Sequence, residues 1–318
     1  MAEQAATPTK GVDDAPRPIK PDPDGPVVGG GGEDQRATDA KPARGAFRLI
    51  AGYVDDGGVL HQDIDLDEYS GREEDMLGNK SVPVTQRMTS FMASCVRRIG
   101  TITDKGLVHN AIRHLTLADR LYALILLRRL SHSDIYDMSM RCPFQNCDKE
   151  GTYTLDLNDI EVFPMDDPTN RVFEIVLPSG KNAVWRVATG VQEEMFQSIP
   201  KGADMDAEGL TVAILGRLVS IDDYVINIRL DEALDHASKK LKAAKRIDAC
   251  REVIKGLKAR DREALRTDFF DKEPGIDLSL EIKCQHCHRE FESAIDVGQD
   301  SFFFPTVTSR RSKRRSST

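Results

Sequence analysis

Tyr136–Leu157 reads YDMSMRCPFQNCDKEGTYTLDL, and Ile276–Val297 reads IDLSLEIKCQHCHREFESAIDV. Each stretch alternates into a pair of cysteines, crosses a few charged residues and alternates out again. That is the pattern of a β-hairpin carrying a knuckle of thiols at its tip. The first pair, Cys142 and Cys147, is spaced C-x4-C; the second, Cys284 and Cys287, is spaced C-x2-C. Two thiols alone hold a metal poorly, but two such hairpins side by side present four thiolates to one ion. The expected centre is a structural zinc ribbon, because Zn2+ accepts four soft sulfurs tetrahedrally. The 136 residues between the pairs are no obstacle, since loop-closure entropy rises only logarithmically with length.

Independent free thiols are one alternative, and a redox pair at Cys284 and Cys287 is another. No thioredoxin-like βαβ pattern surrounds that pair. Neither knuckle is followed by the glycine that such turns often use; Asp148 and His288 stand there instead. His286 and His288 are neighbouring nitrogen donors, read as incidental. Cys95 and Cys250 fall in predicted helices and read as packing residues.

Working outward from the hairpins, Phe47–Leu66 predicts two strands around the turn Asp55–Asp56–Gly57–Gly58. Ser70 and Glu73 form a capping box that starts a helix running through Leu77. A second helix follows Pro83. The stretch LTLADRLYALILLRRLS, begun by Thr116 and Asp119, is the strongest helix in the chain, and its wide apolar face marks a core element. Residues 172–189 predict strand, Pro-Ser-Gly-Lys turn, strand, with Trp185 in the second strand. Residues 190–216 predict a helix broken at Pro200–Gly202. The charged stretch from Asp231 to Thr267 predicts two helices in a solvated hairpin.

The expected class is α+β: a helical region and β-hairpins joined by a four-cysteine zinc ribbon. Residues 1–44, rich in Pro, Gly, Asp and Ala, predict a disordered arm, since almost nothing there offsets the entropy of ordering. Residues 45–306 form the α+β domain, with the ribbon at 134–158 and 276–298 around the insertion. Residues 307–318 carry five basic residues between Arg310 and Arg315 and predict a disordered basic tail.

No apolar run approaches the roughly 18 to 20 residues that a spanning helix needs. The first twenty residues contain no apolar h-region. The expected compartment is the cytoplasm, with no membrane contact; thiols there are mostly reduced. A net charge of −8 disfavours nucleic acid. So do the hairpins themselves: Asp148, Glu150, Asp156 and Asp159 outnumber Arg141 and Lys149, and Glu281, Glu290, Glu292 and Asp296 outnumber Lys283 and Arg289.

Catalytic signatures are missing. A site with four cysteine ligands has no open position. The H-x-E at His288–Glu290 follows the cysteine pair, the reverse of the order in zinc deaminases. LPSGKNA lacks the upstream glycine and the Ser/Thr of a phosphate loop, and neither H-E-x-x-H nor G-x-S-x-G occurs. The expectation is a non-enzyme.

Several segments in order, SGREEDML, LTLADRLYALILLRRLSHSDIYDMSMRCPFQNC, LPSGKNAVWRVATGVQEEMF and DKEPGIDLSLEIKCQHCHREFESAIDVGQDSFFFP, resemble the baseplate and tail-assembly proteins of contractile-tailed (T-even-type) phages and prophages. The resemblance spans residues 45–306. It implies a non-enzymatic component or assembly factor, made in the host cytoplasm and acting on other baseplate or tail proteins. It also implies that the family's cysteine knuckles fall on Cys142, Cys147, Cys284 and Cys287. The C-x4-C spacing and the long arm before residue 45 depart from the family pattern. The alternative function is a zinc-ribbon protein that binds nucleic acid or regulates. Phe302, Phe303 and Phe304 cannot all face one core from a strand. They are the expected partner-binding anchors, with packing against the chain's own helices as the other possibility.

Overall fold

The turn at Asp55–Gly58 forms where the sequence predicts it. Asp55 accepts hydrogen bonds from the amides of Gly57 and Val59, and Gly58 takes a φ of +79°. It joins β1 (Ala46–Val54) to β2 (Leu60–Leu66), which pair antiparallel in a computed structural model describing residues 45–198, 209–226, 237–298 and 300–304. All of these belong to one unit, Pro42–Thr318. The arm at 1–44, the tail at 307–318 and the break at Pro200–Gly202 lie outside the described residues.

Helix α1 (Gly71–Gly78) begins at the capping box, with Glu73 accepting from the Ser70 amide at 2.9 Å. Helix α2 (Val84–Cys95) starts after Pro83 and runs directly into β3 (Val96–Ile99), which adds to β2. Asp104 caps α3 (Lys105–His114), a helix the sequence reading passed over, by accepting from the amides of Gly106 and Leu107. Thr116 caps α4 (Leu117–Ser131) by accepting from the Asp119 amide at 3.0 Å. Ala123 to Leu127 of α4 are buried against Phe91, Ile99 and Ile112. These residues are the centre of a first core.

After α4 the chain enters the first cysteine hairpin, β4 (Ile135–Arg141) and β5 (Glu150–Asp156), in unbroken antiparallel register. A short β6 (Val162–Phe163) leads into the insertion. The insertion holds β7 (Val172–Val176), β8 (Asn182–Arg186), α5 (Gly190–Ser198), α6 (Gly209–Leu215), β9 (Leu218–Ile221), β10 (Tyr224–Val225), α7 (Ala237–Lys255) and α8 (Ala259–Lys272). Its sheet has the order β10-β9-β8-β7. Trp185 is wholly buried at the centre of a second core. Its ring stacks on Phe173 with centroids 4.7 Å apart, and its Nε1 donates to Asp268 Oδ2 at 2.7 Å.

The two helices α7 and α8 correct the expectation of a solvated hairpin. Ile247, Cys250, Ile254, Leu257, Leu265 and Phe269 are buried in this second core. Their charged faces are solvated, but a sparse apolar stripe at three- and four-residue spacing is enough to seat a helix on a sheet.

Leaving the insertion, β11 (Gly275–Ile276) pairs antiparallel with β6, so the chain returns to the point where it left. The second cysteine hairpin follows, β12 (Ser279–Lys283) and β13 (Glu290–Ala294). A final turn of helix, α9 (Asp300–Phe303), buries Phe302 and Phe303 in the first core. No helix among the described residues is long and apolar enough to cross a membrane.

Candidate metal centre

The β6–β11 pairing fixes the bases of the two hairpins side by side, and the Asp277 amide adds a bond to Glu161 O at 2.9 Å. Their tips then meet. Cys142 Sγ lies 3.7 Å from Cys287 Sγ, and Cys147 Sγ lies 3.8 Å from Cys284 Sγ. All four sulfurs are within 4.8 Å of one another. Bonded disulfide sulfurs stand about 2.05 Å apart, so these are four free thiols around a common point. The cluster can hold a metal ion, and its donors are all sulfur, the set that soft and borderline metals prefer.

Each knuckle is built the same way. The Cys142 amide donates to Lys149 O, and the Cys284 amide donates to Arg289 O, both at 2.9 Å. One pair further from the tip, Arg141 faces Glu150 and Lys283 faces Glu290. Asp148 and His288 both adopt positive φ, +45° and +57°, at the place where a glycine is common. Asp and His are among the non-glycine residues that enter the left-handed region most readily.

The two extra residues of the C-x4-C knuckle are absorbed ahead of this turn. Phe144 O accepts from the Asp148 amide as Cys284 O accepts from the His288 amide, each at 3.0 Å. Phe144 therefore stands where the second knuckle has its cysteine, and Pro143 carries the chain back to Cys142.

The sulfurs differ electrostatically. The amides of Cys287 and His286 are aimed at Cys284 and hold its thiol down to about 6. The Arg289 amide lowers Cys287. Burial pushes Cys142 up to about 12, helped by the three sulfurs around it. Cys142 and Cys284 are 2% and 1% exposed, whereas Cys147 and Cys287 are half-buried.

Side chains that the sequence reading did not single out hold the hairpins together. Phe291 on β13 lies edge-on to both Phe144 and Tyr153, with centroids 6.5 Å from each. The Arg289 guanidinium sits 3.9 Å above the Phe144 ring. Gln285 donates to Thr152 O, and His286 Nε2 lies 3.1 Å from Glu150 O. The two histidines are thus used elsewhere: one docks the second knuckle on β5, the other forms its turn. The only sequence signal for this contact was an aromatic residue near each cysteine pair.

Of the three phenylalanines expected to anchor a partner, Phe302 and Phe303 are instead 0% and 2% exposed inside this chain. Phe302 meets Tyr136 edge-on, and Phe303 meets Tyr69 and Phe91. Phe304 is half-buried against the same core. A helical turn, unlike a strand, can direct two consecutive rings inward, which removes the argument that one must face outward. Cys95 and Cys250 are buried in helices α2 and α7, far in sequence from the cluster. No protein-family model, curated protein or solved structure matches this chain.

Proposed function

We propose that this chain is a non-enzymatic structural or assembly protein of a contractile phage-type tail baseplate, with a structural zinc ribbon as its internal clamp. The observation that carries the zinc assignment is the spacing of the four sulfurs. Thiolates about 2.3 Å from a tetrahedral zinc stand about 3.8 Å from one another, and the separations of 3.7 and 3.8 Å match that edge. With Cys142, Cys147, Cys284 and Cys287 as ligands the coordination sphere is full. The ion supplies folding free energy and offers no position to a substrate. The tail reading is supported by the order of motifs over residues 45–306.

Two measurements test the two halves separately. Elemental analysis of purified protein is expected to give about one zinc per chain, and no metal after serine replaces Cys142 and Cys284. Co-expression with tube, sheath and baseplate-wedge proteins is expected to retain at least one of them through purification. Retention on DNA that salt abolishes, with no tail protein bound, would transfer the assignment to nucleic-acid binding.

A further inference from the structure

Among the described residues, the insertion's sheet ends in a strand with no partner on its outer edge. The hydrogen-bonding phase of β7 follows from its neighbours. Asn182 and Arg186 of β8 bond toward the residues flanking β9, since the Asp222 amide donates to Asn182 O and the Arg186 amide donates to Arg217 O. Ala183, Trp185 and Val187 therefore bond toward β7, opposite Ile175, Phe173 and Arg171, and the Val187 amide donates to Arg171 O at 3.0 Å. Main-chain groups alternate along a strand, so those of Val172, Glu174 and Val176 point away from the sheet. Asn170 takes the Val172 amide at 3.3 Å. Among the described residues no main-chain group pairs with the amides or carbonyls of Glu174 and Val176.

Edge strands are usually blunted by short length, charged side chains (lysine above all), proline, a bulge or a covering element. Strand β7 contains no proline or lysine, and its pairing with β8 runs through five residue pairs without a shift. The side chains beside the open groups are exposed as well: Val172 is 52% and Val176 69% exposed, with exposed Glu174 between them. No cation among the described residues forms an ion pair with Glu174.

We propose that β7 receives an extended segment of a partner protein as a fifth strand of this sheet. A strand is the occupant because an added main chain matches an alternating row of donors and acceptors that is otherwise left to solvent. Its side chains are apolar opposite Val172 and Val176, and lysine or arginine opposite Glu174. The centred, longest pairing of two copies of this chain is disfavoured. Two β7 edges paired antiparallel about Glu174 would place that carboxylate against itself, and like charges directly opposite destabilise a sheet. The proposal rests on the sheet alone, independently of the metal centre and of the tail reading.

The test uses the full-length, metal-loaded protein and the capped peptide Thr-Val-Thr-Lys-Thr-Val-Thr, read by residue-resolved hydrogen exchange. Saturating peptide is expected to slow the amides of Glu174 and Val176 by roughly tenfold or more. A peptide with glutamate in place of the lysine is expected to bind about fivefold more weakly, the upper range for a cross-strand charge pair, and Glu174→Lys is expected to reverse that preference. Val176→Pro removes an outward donor without touching the β7–β8 ladder, so peptide binding is lost while metal content is kept. Unchanged exchange at millimolar peptide overturns the proposal, as does equal affinity for both peptides in the native chain and in Glu174→Lys. Protection of the same amides by concentration-dependent self-association, with no peptide present, assigns the edge to a second copy and overturns it too.

Discussion

Asp119 holds together three parts of the chain that are remote in sequence. Register between β1 and β2 breaks between Arg48 and Tyr53, and the amides of Ala51 and Gly52 turn to the two oxygens of Asp119 at 3.1 and 2.9 Å. Thr116 Oγ1 donates to the same carboxylate, while Arg171 Nη2 donates to the carbonyls of Ala51 and Gly52. Gly52 sits at φ +76°, and a Cβ there would meet His61 O at 2.5 Å, so the irregularity needs glycine. Burial raises the Asp119 carboxyl, against the pull of those donors and of the Arg171 charge. Asp119→Ala strands two buried amides and leaves the half-buried Arg171 guanidinium with one counter-charge fewer. It should cost about 3–5 kcal/mol in urea unfolding, and Asp119→Asn less, because one acceptor remains. His132 gives a pH-dependent prediction at the same scale. Partial desolvation of this surface ring, which lies edge-on to Tyr69, and then the Arg128 charge lower its pKa from 6.5. The folded state thus binds that proton more weakly than the unfolded chain does. The stability this provides is complete above 6.5 and is lost as pH falls through the lowered value. His132→Gln should flatten the acid side of the stability profile measured by denaturant titration.

At the level of elements, the last turn of helix acts as a plug. Phe302 and Phe303 meet at a centroid distance of 5.1 Å, and the Tyr69 hydroxyl donates to Phe303 O at 3.1 Å, joining α9 to the loop between β2 and α1. Phe302→Ala and Phe303→Ala should each cost about 3–5 kcal/mol in chemical unfolding, and Phe304→Ala much less. An equal, small effect at all three positions would contradict this burial pattern. The helices α7 and α8 follow the same logic in the other core. Arg217 grips Glu273, just past the end of α8, through two bonds of 2.8 Å, so the helix pair is tied to the sheet by charge as well as by its apolar stripe.

At the scale of the molecule, the proposed metal closes a loop already closed once by β6 and β11. Zinc bound to four thiolates has a binding free energy on the order of 10–16 kcal/mol, which here orders the two knuckles rather than the cores they extend from. A thiol must lose its proton to bind, and Cys142 is the one pushed up to about 12. Zinc uptake at neutral pH should therefore release protons, and affinity should fall as pH is lowered, measurable by competition with a chromogenic chelator. Chelation should speed amide exchange at residues 142–149 and 284–290. The fluorescence of Trp185, the single tryptophan and the centre of the other core, should stay unchanged below the main melting transition.

By itself the sequence determined the parts that depend on neighbours along the chain. The alternation flanking each cysteine pair specified the two hairpins, and Ser70–Glu73 and Thr116–Asp119 specified two helix starts, because capping and strand pleating act over three or four residues. The pairing of Cys142 and Cys147 with Cys284 and Cys287 was legible too, since metal ligands come in sets of compatible chemistry. Only the tertiary structure decided which faces are buried. The charges of α7 and α8 concealed an apolar stripe, Phe302 and Phe303 turned inward together on a helical turn, and Asp119 found its partners 67 and 68 positions away. Burial and long-range hydrogen bonding are properties of what packs against a residue, and no local spacing records them.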